Sequence, residues 1–307
     1  FLMKLYEFMG KAPIQVKSRY GYAVDPIFEG LFLATALTVE QGLASVKQAD
    51  AIAAKTLGMG VGPFTAHNLA GGNPITQHGL SEMNSKIMPW YRSPRILDDR
   101  VNSGLPWETA VKGETVEYSQ EVFDAVSNRI MGAYFGMVCE IVESGITSMG
   151  DVEMALEVGL VMAPPFAMMN RIGVKRALEL VTAYANENPG FNVAKILVKQ
   201  AASGKPWKIP VVFREVRKDV AIVKIRRPRV LNALNQEVFR QLREIFAKIK
   251  KDPKIKGAVL TGFGTRAFVS GADIGMLASQ KTPEEAESLC LKSMAVLNLI
   301  ENLGKPV

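Results

Sequence analysis

A repeat of about one hundred residues constrains this chain more than any other feature. Asp25, Ile27, Glu40 and Gly42 are followed by Pro63, Phe64, Asn68 and Gly71, and Asn128, Ile130, Glu143 and Gly145 by Pro165, Phe166, Asn170 and Gly173. The offset is 103 in the early part and 102 in the late part. Each copy, about 50 residues long, reads as a long amphipathic helix, a Gly turn, a second helix (46–57; 149–158), a Pro turn and a short helix. Two such copies predict an all-helical domain whose apolar stripes bury against each other. A purely structural duplication with no chemistry attached satisfies the same pattern.

The flanks read differently. Leu2, Leu5, Phe8 and Met9 predict a helix closed by Gly10, and residues 11–17 a strand, together the last unit of an α/β domain. Asp25 reads as an N-cap with Pro26 as the first helical residue. Between the copies, residues 72–118 read as irregular and rich in Trp, Pro and Arg, either a lid or a packed connector. Residues 191–203 read as a last helix. Gly204-Lys205-Pro206-Trp207-Lys208 marks a boundary. Beyond it, short β-branched runs (211–216, 220–225, 257–261) alternate with helices at 236–251 and 284–302. The first helix carries the stripe Val238, Leu242, Ile245, Phe246 and Ile249; the second carries Ala286, Leu289, Ala295, Leu297 and Ile300.

Charge separates the two parts. Residues 211–307 hold 18 Lys/Arg against 10 Asp/Glu, while the rest of the chain is close to neutral. The basic residues come without interleaved aromatics, so a phosphate-bearing small molecule fits them better than nucleic acid. The most apolar run, 27–39, carries Glu29 and ends at Glu40, too short and too charged for a membrane span. Cys139 and Cys290 read as two buried thiols in a reducing, cytoplasmic setting. His67 and His78, the only histidines, are too few for a multi-His metal centre.

The chemistry concentrates after the 257–261 strand. Ser270, Gly271 and Ala272 form a small-residue turn before Asp273, which can cap a helix beginning at Ile274. Such a turn leaves backbone N–H groups free to hold an oxygen that gains negative charge. An ordinary capped loop is the plain alternative. Gly262-Phe263-Gly264-Thr265-Arg266-Ala267 imitates a dinucleotide-binding GxGxxA, but an extended run follows where a helix should open. Residues 58–62 have the wrong glycine spacing for that role.

The element Arg227-Pro228-Arg229-Val230-Leu231-Asn232-Ala233-Leu234-Asn235, taken with Ala267-Phe268-Val269-Ser270-Gly271-Ala272-Asp273-Ile274, resembles the enoyl-CoA hydratase (crotonase) family over residues 210–307. The resemblance implies an acyl-CoA substrate, with the Ala272 N–H as an oxyanion-hole donor and Gly271 permitting the turn. It also implies that Arg229 meets the CoA phosphates, and that Ala233, Gly271, Asp273 and Ile274 contribute to CoA binding. A second stretch, residues 4–189, resembles the C-terminal helical region of 3-hydroxyacyl-CoA dehydrogenases, through "GKxPIxVK", "GYxVxxIF", "EQGLAS" and "LGMGVGPF". That family dimerises through these helices and uses an Asn to hold substrate at the start of the first long helix. Asp25 stands at this catalytic position and Pro26 replaces the following Arg, a departure from the family pattern, since an ionised Asp accepts but does not donate.

The expectation is therefore a multidomain α and α/β chain. Residues 1–18 would end an NAD-binding domain. Residues 19–203 would form an all-helical two-repeat dehydrogenase C-terminal domain, with repeats near 22–75 and 125–190. Residues 210–307 would form a truncated crotonase-like β/α spiral core. The resemblances imply part of a bifunctional fatty acyl-CoA β-oxidation enzyme that hydrates 2-enoyl-CoA and oxidises 3-hydroxyacyl-CoA with NAD bound elsewhere. It would be a homodimer, and this piece alone would be inactive. A helical dimerisation scaffold fused to a crotonase-family isomerase, hydrolase or decarboxylase is the alternative.

Overall fold

The computed structural model describes all 307 residues. They divide into two units, Ile14–Lys208 and a second made of Phe1–Pro13 with Ile209–Val307. Residues 1–18, expected to close a preceding domain, are thus shared between the two. Helix α1 (Leu2–Phe8) opens the chain, and no strand follows. Residues 15–17 are instead held by the turn of the second copy: Lys17 N–H donates to Ile146 O at 2.8 Å, and Thr147 Oγ1 to Gln15 O at 2.8 Å.

The helical unit is two sets of five helices. The first set is α2 (Val24–Glu40), α3 (Val46–Leu57), α4 (Pro63–Ala70), α5 (Asn73–Lys86) and α6 (Arg95–Ser103). The second is α7 (Gln120–Glu143), α8 (Met149–Gly159), α9 (Pro165–Ile172), α10 (Val174–Glu187) and α11 (Lys195–Ala202). Each copy is therefore longer than the expected 50 residues, and residues 72–118 contain two helices, α5 and α6, within otherwise irregular backbone. Pro74 in the first turn of α5 was the available start signal. The Trp-rich segment is a packed connector, with Trp90, Tyr91 and Trp107 all buried.

Three hydrogen-bonded contacts recur between the copies. Asp50 on α3 accepts from the Phe64 and Thr65 N–H groups that open α4, at 2.7 and 3.2 Å. Glu153 on α8 accepts from Phe166 and Ala167 N–H at the start of α9. Asn68 exchanges two bonds with the Trp107 backbone, as Asn170 does with Trp207. Glu40 accepts from Ile96 N–H and Glu143 from Ile196 N–H, capping α6 and α11. Helices without side-chain caps of their own thus have their orphan amides answered from neighbouring helices. α2 is buried nearly all round and not amphipathic, because α3, α4, α5 and α7 enclose it. It begins at Val24 with Ala23 as N-cap, so Asp25 lies inside the first turn and caps nothing.

Burial pushes the Glu153 carboxyl up to about 8, against the pull of its two N–H donors. A carboxyl raised on folding favours the native state fully below its ordinary value of 4.5, and that contribution is lost as pH rises through about 8. Glu153→Gln keeps the acceptor oxygen without the charge. Thermal unfolding across pH should show the variant level with the parent below pH ~4.5 and more stable by a few kcal/mol above pH ~8. A constant difference across that range would show that Glu153 does not titrate there.

The second unit is a three-stranded sheet backed by helices. β1 (Val212–Arg217) and β2 (Val220–Ile225) form an antiparallel hairpin, with Lys218 at φ 57° in its turn. α12 (Gln236–Lys251) crosses to β3 (Gly257–Gly262), which lies parallel to β2 with Ala221 opposite Ala258. α13 (Ile274–Ala278) and α14 (Pro283–Glu301) follow. The α12 stripe Val238, Leu242, Phe246 and Ile249 is fully buried against Val212, Val223 and Ile225, and Ile245 is half-buried. Lys305 Nζ donates to the Ile249 and Asp252 carbonyls at 2.6 Å, a cation at the α12 C-terminus. α14 departs from its expected stripe. Only Val296 is buried, whereas Ala286, Ala295 and Leu297 are exposed. Cys290 on the same helix is exposed as well, and only Cys139 matches the expected burial. No helix is long and apolar enough to cross a membrane.

Candidate functional site

Two loops meet at the head of the sheet, residues 226–235 after β2 and 263–273 after β3. Leu234 and Ala272 form a parallel bridge: Leu234 N–H donates to Gly271 O and Asp273 N–H to Leu234 O, both at 2.9 Å. In this bridge Leu234 uses its own N–H and C=O, and the Ala272 N–H, trans to the Gly271 C=O in their shared peptide plane, points away from Leu234. The Ala272 amide accordingly donates to no group of this chain, and Ala272 is exposed. Gly271 sits at φ 121°, a conformation other residues rarely adopt, and this sets the turn that presents the amide.

Asn232 holds the two loops together. It is 1 % exposed, has φ 61°, and its side chain joins three segments. Its Oδ1 accepts from Arg227 N–H, and its Nδ2 donates to Phe263 O and Ala267 O, all at 3.0 Å. Sequence reasoning had no hold on this residue, since its partners lie up to 35 positions away. Arg227 adds a second tie, donating to Ala233 O at 2.6 Å and to Asp273 Oδ2 at 2.8 Å. Asp273 also caps α13 by accepting from Met276 N–H. The Arg227 hydrogen bond holds the Asp273 carboxyl below the usual carboxylate range. Asp273 is thus an ionised, fully engaged positioning group, with no free proton to give.

The remaining expected residues are placed as follows. Arg229 is exposed on the 3-10 turn Pro228–Val230 and forms no ion pair. Ala233 is buried, with its N–H given to Val230 O and its C=O to Arg227. Ile274 is 82 % exposed, so its side chain is open to a ligand. Asp25 belongs to the helical unit. Burial, and then Glu29 one turn on, raise its carboxyl above the usual value.

Residues 215–307 match the enoyl-CoA hydratase/isomerase family, and residues 126–207 match the 3-hydroxyacyl-CoA dehydrogenase C-terminal domain. The chain fuses segments of these two families. The dehydrogenase-type match covers the second helical copy through Trp207, while Asp25 and the first copy fall outside it. Over 96 residues the hydratase-type segment is 34 % identical to the short-chain-enoyl-CoA hydratase of Clostridium acetobutylicum, which covers 31 % of this chain and 36 % of that protein. Over 98 residues it is 38 % identical to the fatty acid oxidation complex subunit alpha of a Shewanella strain, covering 31 % of this chain and 14 % of that protein. Over 81 residues it is 39 % identical to the (E)-benzylidenesuccinyl-CoA hydratase of Thauera aromatica, covering 26 % of this chain and 29 % of that protein. The chain thus spans well under half of each of these relatives. Among solved structures, an enoyl-CoA hydratase from Thermoplasma volcanium aligns at 38 % identity and TM-score 0.30 over 32 % of this chain and 38 % of that one.

Neither glycine-rich stretch offers a cradle for a dinucleotide. Residues 262–267 lead into irregular backbone, and the next helix is the five-residue α13. The α4 N-terminus, reached through Gly62, already holds the Asp50 carboxylate, which would repel a phosphate. These residues do not fit NAD.

Proposed function

We propose that the second unit binds acyl-CoA thioesters, with the thioester oxygen at the Ala272 amide. The observation that carries this is the N–H of the exposed Ala272, fixed by the Leu234 bridge and donating to no group of the chain, inside the hydratase/isomerase-type segment. A fixed donor of this kind favours the enolate-like transition state over the ground state, because charge on the oxygen grows as the reaction proceeds. Arg229, a few residues before Leu234 and free of ion pairs, is available to a CoA phosphate. The names of the relatives support hydration of 2-enoyl-CoA as the reaction, and the dehydrogenase-type segment supports NAD-dependent oxidation of 3-hydroxyacyl-CoA as a companion activity of the same protein. We assign the helical unit a supporting role, with dimerisation through it as part of the proposal and a cytoplasmic setting for the whole. The domain extents follow the same reading, residues 19–203 for the helical part and 210–307 for the hydratase-type part.

By itself this chain should turn over neither substrate. Asp273, the carboxylate beside Ala272, is committed to Arg227 and to the α13 cap, so it serves neither as general acid nor as general base. Calorimetric titration with butyryl-CoA and free CoA tests the binding reading. Binding of both ligands, weakened about fivefold or more in Arg229→Ala, is the expected result, since one charge-assisted phosphate contact contributes about 1–3 kcal/mol. Binding indifferent to Arg229 would move the nucleotide elsewhere, and hydrogen exchange over residues 211–307 would separate absent binding from an unfolded unit.

A further inference from the structure

We propose that the foot of the second unit, the end away from its two site loops, docks on an anionic phospholipid surface. Residues 248–256 carry five lysines, Lys248, Lys250, Lys251, Lys254 and Lys256, and every one is exposed. Lys248 and Lys251 lie one turn apart at the end of α12. Beyond the helix, Ile255 is buried, while Lys254 and Lys256 on either side of it are open to solvent. Lys256 N–H donates to Asp219 O at 2.7 Å, which brings the exposed Lys218 of the β1–β2 turn beside them.

The fold makes no use of these charges. The α12 C-terminus is answered by Lys305, whose Nζ donates to Ile249 O and Asp252 O, and Lys250 reaches the Asn302 carbonyl at 3.1 Å. Lys218, Lys248, Lys251, Lys254 and Lys256 form no side-chain bond and no ion pair. The carboxylates close to them in the chain or through these bonds are Asp219, Asp252 and Glu301, and Asp252 already accepts from Lys254 N–H at 3.0 Å. Uncompensated like charge opposes compaction, so the cluster adds nothing to the stability of the unit.

The make-up of the cluster points to its partner. Residues 248–256 hold no arginine fork to grip one phosphate and no ring to stack on a base, the two devices that suit nucleic acid. Arg217, in the neighbouring turn, is paired with Glu215 at 2.6 Å. Lysines are point charges on long stems, suited to many phosphates spread over a plane, and each one at an anionic membrane surface contributes about fivefold in partitioning. Topology keeps this surface off the site. β2 and β3 are parallel, Lys218 and Lys256 stand just before them, and the loops of Leu234 and Ala272 leave their far ends. Six residues of strand separate the two ends by about 20 Å, so docking leaves the acyl-CoA loops clear.

The test is co-sedimentation of the whole chain with vesicles of phosphatidylcholine alone and of phosphatidylcholine and phosphatidylglycerol in equal parts. It is repeated for the combined variant Lys248→Gln, Lys251→Gln, Lys254→Gln, Lys256→Gln. The chain should bind the mixed vesicles only, and release them at about 1 M salt, where screening acts within ~3 Å. The variant should bind about a hundredfold more weakly or worse, with its urea midpoint level or raised and its affinity for butyryl-CoA unchanged. Equal binding to both kinds of vesicle, no binding to the mixed ones, or undiminished binding by the variant would each overturn the inference. Tighter binding to single-stranded RNA than to the mixed vesicles would assign the lysines to nucleic acid and overturn it as well. Loss of butyryl-CoA affinity in a folded variant would assign them to the CoA phosphates, with the same result.

Discussion

Asn232→Asp should unfold or nearly unfold the second unit at room temperature, while the helical unit keeps its hydrogen-exchange protection. The amide of Asn232 donates twice, to Phe263 O and Ala267 O, and accepts once, from Arg227 N–H. A carboxylate keeps the acceptor and turns two buried donors into a charge facing two carbonyl oxygens, the worst arrangement for a group 1 % exposed. Asn232→Ala removes three buried bonds of about 1 kcal/mol each and places a Cβ-bearing residue without a local hydrogen bond at φ 61°, for a further ~1 kcal/mol. Asn232→Gly loses the same bonds but relieves the backbone, so its cost should be smaller. The expected order is Asp, then Ala, then Gly, measured by urea unfolding with exchange read separately over residues 14–208 and 209–307. Acyl-CoA affinity should fall in the same order, since the bonds that hold Asn232 also hold the loop of Arg229 to the loop of Ala272. A flat series, with Asp no worse than Ala, would mean that the loops are held by the Leu234–Ala272 bridge and by Arg227 alone.

Asn232 also marks the limit of what could be read along the chain. The Asp273 cap was legible because an N-cap is a three-residue affair, and the α12 stripe because a 3.6-residue period shows within one turn. Asn232 stood inside the same quoted motif, yet its partners at Phe263 and Ala267 lie across a helix and a strand. The repeat was legible in its first half, where copies align residue for residue, and was lost where α5 is polar and Pro-started and α6 follows a proline N-cap. Leu105-Pro106-Trp107 and Lys205-Pro206-Trp207 preserved the signal at an offset of 100, since both tryptophans close their copy on an asparagine. α14 failed for a physical reason. Its apolar residues Leu291, Met294 and Leu297 follow helical spacing but face outward, and periodicity alone does not say which side is covered.

Gly132→Ala should destabilise the helical unit by about 3 kcal/mol, although the same substitution in an open helix position stabilises by about 0.5–1 kcal/mol. The two copies diverge at this point. In the first, Glu29 occupies the position equivalent to Gly132, and His67 the position equivalent to Met169. His67 is buried there, its Nδ1 donating to Pro63 O at 2.7 Å and its Nε2 2.8 Å from Thr76 Oγ1 on α5, with the buried Glu29 Oε2 3.9 Å away and without a hydrogen-bond partner. Polar side chains thus fill the space between α2, α4 and α5. In the second copy the helices fill it themselves. A Cβ on Gly132 would stand 2.6 Å from Leu180 O and 2.8 Å from Tyr184 Cβ, so α7 and α10 must separate before any side chain fits. Backbone cannot step aside as a flexible side chain can, and α7 also packs on α2 and α3, so the movement propagates through the longest helix of the unit. Gly79 on α5 provides the control, because nothing lies within 4 Å of a Cβ built there. Urea unfolding of the two alanine variants should give opposite signs. Matching signs would mean that the α7–α10 contact relaxes freely, and that the glycine at this position is a matter of helix propensity and not of close approach.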